Sequence, residues 1–151
     1  MSLMEKLTAD MKEAMKRGEK DRLSVIRLVR GAVRQAEIDG KKTLTDDEVI
    51  GVISKEVKMR RDSIEEFARG KRDDLVAKTK AEIDVLMPYL PTQLSIDEVK
   101  KLVADAVAEV GAVTAKDMGK VMGVLMPRVK GRADGKLINE TVFRTHPRIF
   151  L

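Results

Sequence analysis

Cysteine and tryptophan are absent from this chain of 151 residues, and histidine and tyrosine each occur once. Without cysteine there are no disulfides, no thiolate metal ligands and no thiol nucleophile. With His146 as the single imidazole, zinc sites and histidine-based triads are nearly excluded as well, and no cofactor or metal is expected. Tyr89, Phe67, Phe143 and Phe150 are the only aromatics, so the chain has little surface on which unpaired bases would stack. No apolar run approaches the roughly eighteen residues needed to span a bilayer. The first residues mix acids with an amphipathic pattern, unlike the basic and apolar blocks of a signal peptide. A cytosolic protein without a membrane partner is the expectation from these absences.

What is present is charge and helical periodicity. At 43% hydrophobic and 36% charged the composition is globular, and sustained two-residue alternation is missing, which points to an all-α protein. Ser2 with Glu5, Thr45 with Glu48 and Ser95 with Glu98 have capping-box spacing and should open three helices. Gly18, Gly40, Gly70 and Gly111 should close helices, because glycine accepts the left-handed conformation at a C-terminus. Leu3, Leu7, Met11 and Ala14 form the first buried row, Leu23, Ile26, Val29, Val33 and Ala36 the second. Val49, Ile53 and Val57, then Ile64, Phe67 and Ala68, form the third, with Arg60 and Arg61 interrupting it. A fourth helix should begin near Asp73 and bend or end at Pro88. Residues 88 to 95, PYLPTQLS, read as a short stiff linker, giving an N-terminal four-helix domain over 1–90 and a small three-helix domain over 91–151. In the latter, Pro127 should stop a helix from Thr114 to Met126, and a last helix should start near Asn139 and be broken at Pro147.

The segment Thr114 to Lys136 sets six cations (Lys116, Lys120, Arg128, Lys130, Arg132, Lys136) against two anions (Asp117, Asp134). It therefore carries +4 of a net charge of +5. So concentrated a field calls for an anionic partner. Gly131 and Gly135 permit positive φ and open amides among these cations, which suits oxyanions. The segment GRADGK is not a P-loop: the glycine spacing is one residue short, and Leu137 stands where a magnesium-binding hydroxyl is needed. Gly119 and Gly123, four apart, leave a shallow patch that serves either close helix packing or the approach of a phosphate backbone. Met118, Met122 and Met126 are core filling, or a docking stripe for a protein partner if exposed. Arg60 and Arg61 are expected in structural ion pairs, with Glu37, Asp39 or Glu82 as partners. The alternative is a secondary basic site shared with Arg27, Arg30 and Arg34. Carboxylates fall at helix starts or alternate with cations, so no acid–base pair stands out and no catalytic residue is assigned.

The chain resembles the YqeY family in YLPTQLS, in GKVMGVLMPRVKGRADGK followed by Ile138 and Asn139, and in the blocks AEIDG (36–40) and KEVKMRRDS (55–63). The spacing of Gly119, Gly123, Gly131, Gly135 and Lys136 belongs to the same likeness. The C-terminal part of that family is similar to the tail domain of the B subunit of tRNA-dependent amidotransferases. The resemblance implies a four-helix N-terminal domain and a three-helix C-terminal domain of the kind that touches the tRNA body, without the catalytic cradle of the amidotransferase. The reading it favours is a non-catalytic accessory protein in translation, binding tRNA or a tRNA-bearing complex by its backbone. A protein-interaction adaptor is the second reading. An ancillary part of a glutamine-dependent carbon–nitrogen ligase, implied by the family likeness alone, is the third.

Overall fold

A computed structural model describes residues 1–150, the side chain of Phe150 excepted, so the aromatic reading of Phe150 lies outside the described residues. Every regular element among them is helical, and the chain groups into two compact units, Met1–Leu90 and Pro91–Leu151. None of these helices is long and apolar enough to cross a membrane.

In the first unit, the helix α1 (Leu3–Arg17) opens on a reciprocal cap: the Ser2 hydroxyl accepts from the Glu5 amide at 3.1 Å, and the Glu5 carboxylate accepts from the Ser2 amide at 3.2 Å. Gly18 ends it at φ +68°. The next helix, α2 (Lys20–Gly40), runs one residue past the expected stop. Lys41, at φ 51°, takes the left-handed position assigned in sequence to Gly40, and its amide bonds back to Glu37 and Ile38. A third helix, α3 (Asp46–Arg69), repeats the capping box with Thr45 and Glu48. The fourth, α4 (Asp73–Leu86), gives way to a tight 3-10 turn, Met87–Tyr89, at Pro88. Leu7, Ile26, Val29, Val33, Val49 and Ile53 form the centre of the core, all fully buried or nearly so. Val25 joins them, outside the row Leu23, Ile26, Val29, Val33, Ala36 read in the sequence.

The row of α3 continues Val49, Ile53, Val57 into Arg60, which is only 9% exposed. Its guanidinium is held by Glu56 at 2.9 Å, one turn back, and by Glu82 of α4 at 3.3 Å. Both carboxylates are needed, because a buried cation without partners would lose its hydration uncompensated. Phe67 and Ile64 are only half-buried and Ala68 is exposed, so the apolar row is spent before the end of α3.

In the second unit, α5 (Ile96–Val110) is capped by Ser95 and Glu98 and ends on Gly111 at φ +62°. A 3-10 turn, Ala115–Asp117, leads into α6 (Met118–Val129), then come α7 (Gly135–Thr145) and a four-residue turn of helix, α8 (Pro147–Phe150). Val103, Val121, Leu125, Ile138 and Val142 meet at the core. Two expectations are corrected. Pro127 does not stop α6 but lies inside its last turn. The ring removes one helical hydrogen bond, while burial of Val129 holds the turn in register. Second, α7 starts at Gly135 rather than near Asn139, because the Asp134 carboxylate caps it by accepting from the Lys136 amide at 3.1 Å. The break expected at Pro147 is found, and Pro147 begins a further turn of helix, which returns Ile149 to the core at 3% exposure.

Candidate nucleic-acid interface

α6 is amphipathic. Val121, Leu125 and Val129 point into the core, and Met118 and Met122 pack at its edge. The opposite face carries Gly119, Lys120, Gly123, Met126, Pro127 and, at the cap, Lys130, all exposed. Lys116 is exposed just before the helix. Between Lys120 and Lys130 the face runs about 15 Å along the axis. A Cβ added to Gly119 or Gly123 would meet no atom within 4 Å, so packing inside the protein does not account for either glycine. They leave a smooth strip of backbone between lysines.

The expected methionine stripe is split by the same geometry. Met118 and Met122 belong to the core edge, and Met126 alone reaches the surface, at 39% exposure.

The remaining cations of the segment are not equally available. Arg128 pairs with Glu109 of α5 at 2.8 Å, and this hydrogen bond raises its pKa. Arg132 is half-buried, with Nη1 near the Arg128 carbonyl and its charge close enough to depress the Glu98 carboxyl, whose lowering comes first from the Ser95 backbone amide. The Val113 and Thr114 amides hold Asp117 low, with Lys120 adding to the effect. Lys136 is exposed at the start of α7.

The loop between α6 and α7 departs from the open cradle read in the sequence. Gly131 does take positive φ, +73°. Gly135 does not; it is the first residue of α7. The amides of Arg132 and Ala133 are spent on the Val129 carbonyl at 2.8 and 3.1 Å. Residues assigned to the linker fix this loop: the Gln93 side-chain amide donates to the Gly131 carbonyl at 2.8 Å, and the Leu94 amide to the Arg132 carbonyl at 2.8 Å. Gln93 and Leu94 are thus the positioning residues that sequence reading missed. Nothing in their spacing signals a partner some 38 residues away; only the motif PTQLS as a block hinted that they matter.

The secondary group of arginines does not form one surface. Arg60 is consumed by Glu56 and Glu82, and Arg61 lies half-buried against the Met87 sulfur. Arg30 reaches across to α1, to the Thr8 hydroxyl at 3.2 Å and the Met11 sulfur at 3.2 Å. Arg27 and Arg34 remain exposed on α2. Among the described residues no group of histidine, aspartate and glutamate has the arrangement to hold a metal ion.

The family model described as Yqey-like protein matches residues 4–145 of the chain. The chain belongs to the YqeY family. Among its relatives is the protein named altered inheritance of mitochondria protein 41, mitochondrial, of Pyrenophora tritici-repentis, 34% identical over 93% of this chain and 78% of that protein. The protein of the same name in Saccharomyces cerevisiae strain YJM789 is 32% identical over 78% of this chain and 66% of its own length. That of Candida glabrata is 40% identical over 56% of this chain and 47% of its own. These names overturn the expectation of a cytosolic protein, since the relatives are mitochondrial. The absence of cysteine and of an apolar span holds equally for proteins of either compartment. Organellar transit segments are moreover amphipathic and basic rather than apolar, so the composition does not separate the two. Neither the family description nor the relatives' names indicate a catalytic activity.

Proposed function

We propose that the second unit binds tRNA, or a complex that carries tRNA, through its sugar–phosphate backbone, and that the protein acts as a non-catalytic accessory factor. The observation that carries this reading is the outward face of α6. There Lys116, Lys120 and Lys130 flank two glycines that have no packing neighbour, so a polyanion can lie close against the helix. Phosphates take their affinity from such point charges, and the scarcity of exposed aromatics disfavours readout of unpaired bases. Arg132 extends the field, whereas Arg128 contributes less because Glu109 already neutralises it. The likeness of the YqeY C-terminal part to the amidotransferase tail supports tRNA over other RNA. The relatives' names make the mitochondrion the compartment in which to look for the complex.

Titrating a folded tRNA transcript across salt concentrations, for the wild type and a Lys116, Lys120, Lys130 to Ala variant, tests the reading. The slope of log affinity against log salt should shrink by about 1 for each phosphate that the variant no longer neutralises. Unchanged affinity and slope would remove the proposal. The adaptor reading through Met118, Met122 and Met126 is weakened, since two of the three serve the core. Amide transfer by this chain with no other subunit would overturn the non-catalytic assignment.

A further inference from the structure

The outer face of α2 in the first unit has no part in the tRNA reading and does not depend on it. Ser24, Leu28, Gly31, Gln35 and Ile38 recur at alternating intervals of four and three residues, which makes one nearly straight row along a helix. Four of the row, Ser24, Leu28, Gln35 and Ile38, are exposed, as is Gly31 between them. Leu28 is 51% and Ile38 69% exposed, and a Cβ on Gly31 would meet nothing within 4 Å. A single surface aliphatic is ordinary. Two on one row, about 15 Å apart, with a bare stretch of backbone between them, leave a seat for side chains of another helix.

One edge of this row carries Lys20, Arg27 and Arg34 at strict intervals of seven residues, and Lys41 follows at the cap of the helix, all exposed. Arg17, Arg22, Arg60, Arg72 and Arg128 each have a carboxylate partner. No ion pair joins Lys20, Arg27, Arg34 or Lys41 to a carboxylate among the described residues, and the Arg27 guanidinium donates to the Met15 sulfur at 3.8 Å. The other edge holds Asp21, Ala32 and Asp39. Charges flanking an apolar seam at this period select the helix that packs there.

We propose that this face docks one helix of a partner protein, amphipathic, with apolar residues on its seam and glutamate or aspartate on the flank that meets Lys20, Arg27 and Arg34. RNA fits less well, because phosphates gain nothing from Leu28 and Ile38 and would lie beside Asp21 and Asp39. A second copy of the chain also fits less well. Antiparallel pairing sets the cationic edge against itself; parallel pairing matches Arg34 with Asp39 but leaves Arg27 facing Ala32.

The probe is a synthetic three-heptad helix with leucine on the seam, glutamate on one flank and glutamine on the other, compared with a twin that carries lysine for glutamate. Calorimetric titration into the full chain should show a preference of about tenfold for the acidic helix. R27E/R34E should invert that preference, and Leu28→Ser with Ile38→Ser should weaken both helices by about tenfold. All four positions are exposed, so the melting curve should stay close to wild type; if R27E/R34E unfolds, R27Q/R34Q, with the preference abolished, gives the same answer. Equal binding of the two helices, a preference unmoved by either arginine pair, loss of tRNA affinity in R27E/R34E, or self-association through Ile38 would each overturn the proposal.

Discussion

Gly123 separates a structural from a functional explanation. It sits in the middle of α6 on the solvent side, and a methyl group there would touch nothing within 4 Å. Its backbone is helical and not in the left-handed region, so alanine fits without strain. In a helix interior glycine is about 0.8–1 kcal/mol less favourable than alanine, because it leaves more freedom to the unfolded chain. Gly123→Ala should therefore stabilise the second unit by about 1 kcal/mol, and raise its melting temperature by about 4–8 °C for a unit of this size. The same methyl would hold an RNA backbone away from Lys120 and Lys130, so tRNA affinity should fall about fivefold, the equivalent of about 1 kcal/mol. Circular dichroism melts and chemical denaturation read the first effect, fluorescence anisotropy with labelled tRNA the second. A melting temperature that stays or falls would show that Gly123 has an internal role and refute the packing reasoning. A rise in stability with full tRNA affinity would clear α6 of contact with RNA.

Removing Arg60 as Arg60→Leu leaves Glu56 and Glu82 together without their cation and should cost about 3–5 kcal/mol; a loss below about 1 kcal/mol in urea unfolding would mean that water already reaches them. Glu48 is held at about 2, below the ordinary 4.5, first by Lys42 and then by the Thr45 amide. A lowered carboxylate stabilises the fold above its unfolded value and loses that contribution as pH falls. The advantage of wild type over Glu48→Gln should thus be full above pH 4.5 and vanish toward pH 2 in acid-unfolding curves; a constant difference across that window would contradict it. Burial, then the hydrogen bond its hydroxyl donates to Asp10, pushes Tyr89 above the ordinary 10.0. As the single tyrosine it can be followed by absorbance, and it should stay protonated through pH 10 until the fold is lost, since a raised pKa stabilises the folded form at lower pH. Ionisation at the ordinary value would show the ring to be solvated. Tyr89→Phe should lower stability by about 1 kcal/mol.

Local chemistry was legible wherever it is short-range. The three capping boxes, the glycine stops at Gly18 and Gly111 and the rows Leu7, Met11, Ala14 and Val49, Ile53 are set by neighbours three or four residues away, and these form as read. The start of α7 was misplaced because Gly135 looked like loop chemistry, while the cap at Asp134 and the pair Ile138 and Val142 pointed the other way. The helix passes Pro127 because a proline in a last turn forfeits little, and buried Val129 outweighs it.

By itself the sequence determined an all-helical chain, the concentration of positive charge between Thr114 and Lys136, and much of the first unit's core, Leu7, Ile26, Val29, Val33, Val49 and Ile53 among it, since periodicity and charge are properties of the order of residues. Only the tertiary structure decided which charges remain available. Glu109 lies far along the chain from Arg128, and Glu82 from Arg60, yet folding sets each carboxylate beside its guanidinium and leaves Lys116, Lys120, Lys130, Arg27 and Arg34 facing water. Coulomb interactions depend on distance in space, which the order of residues does not contain.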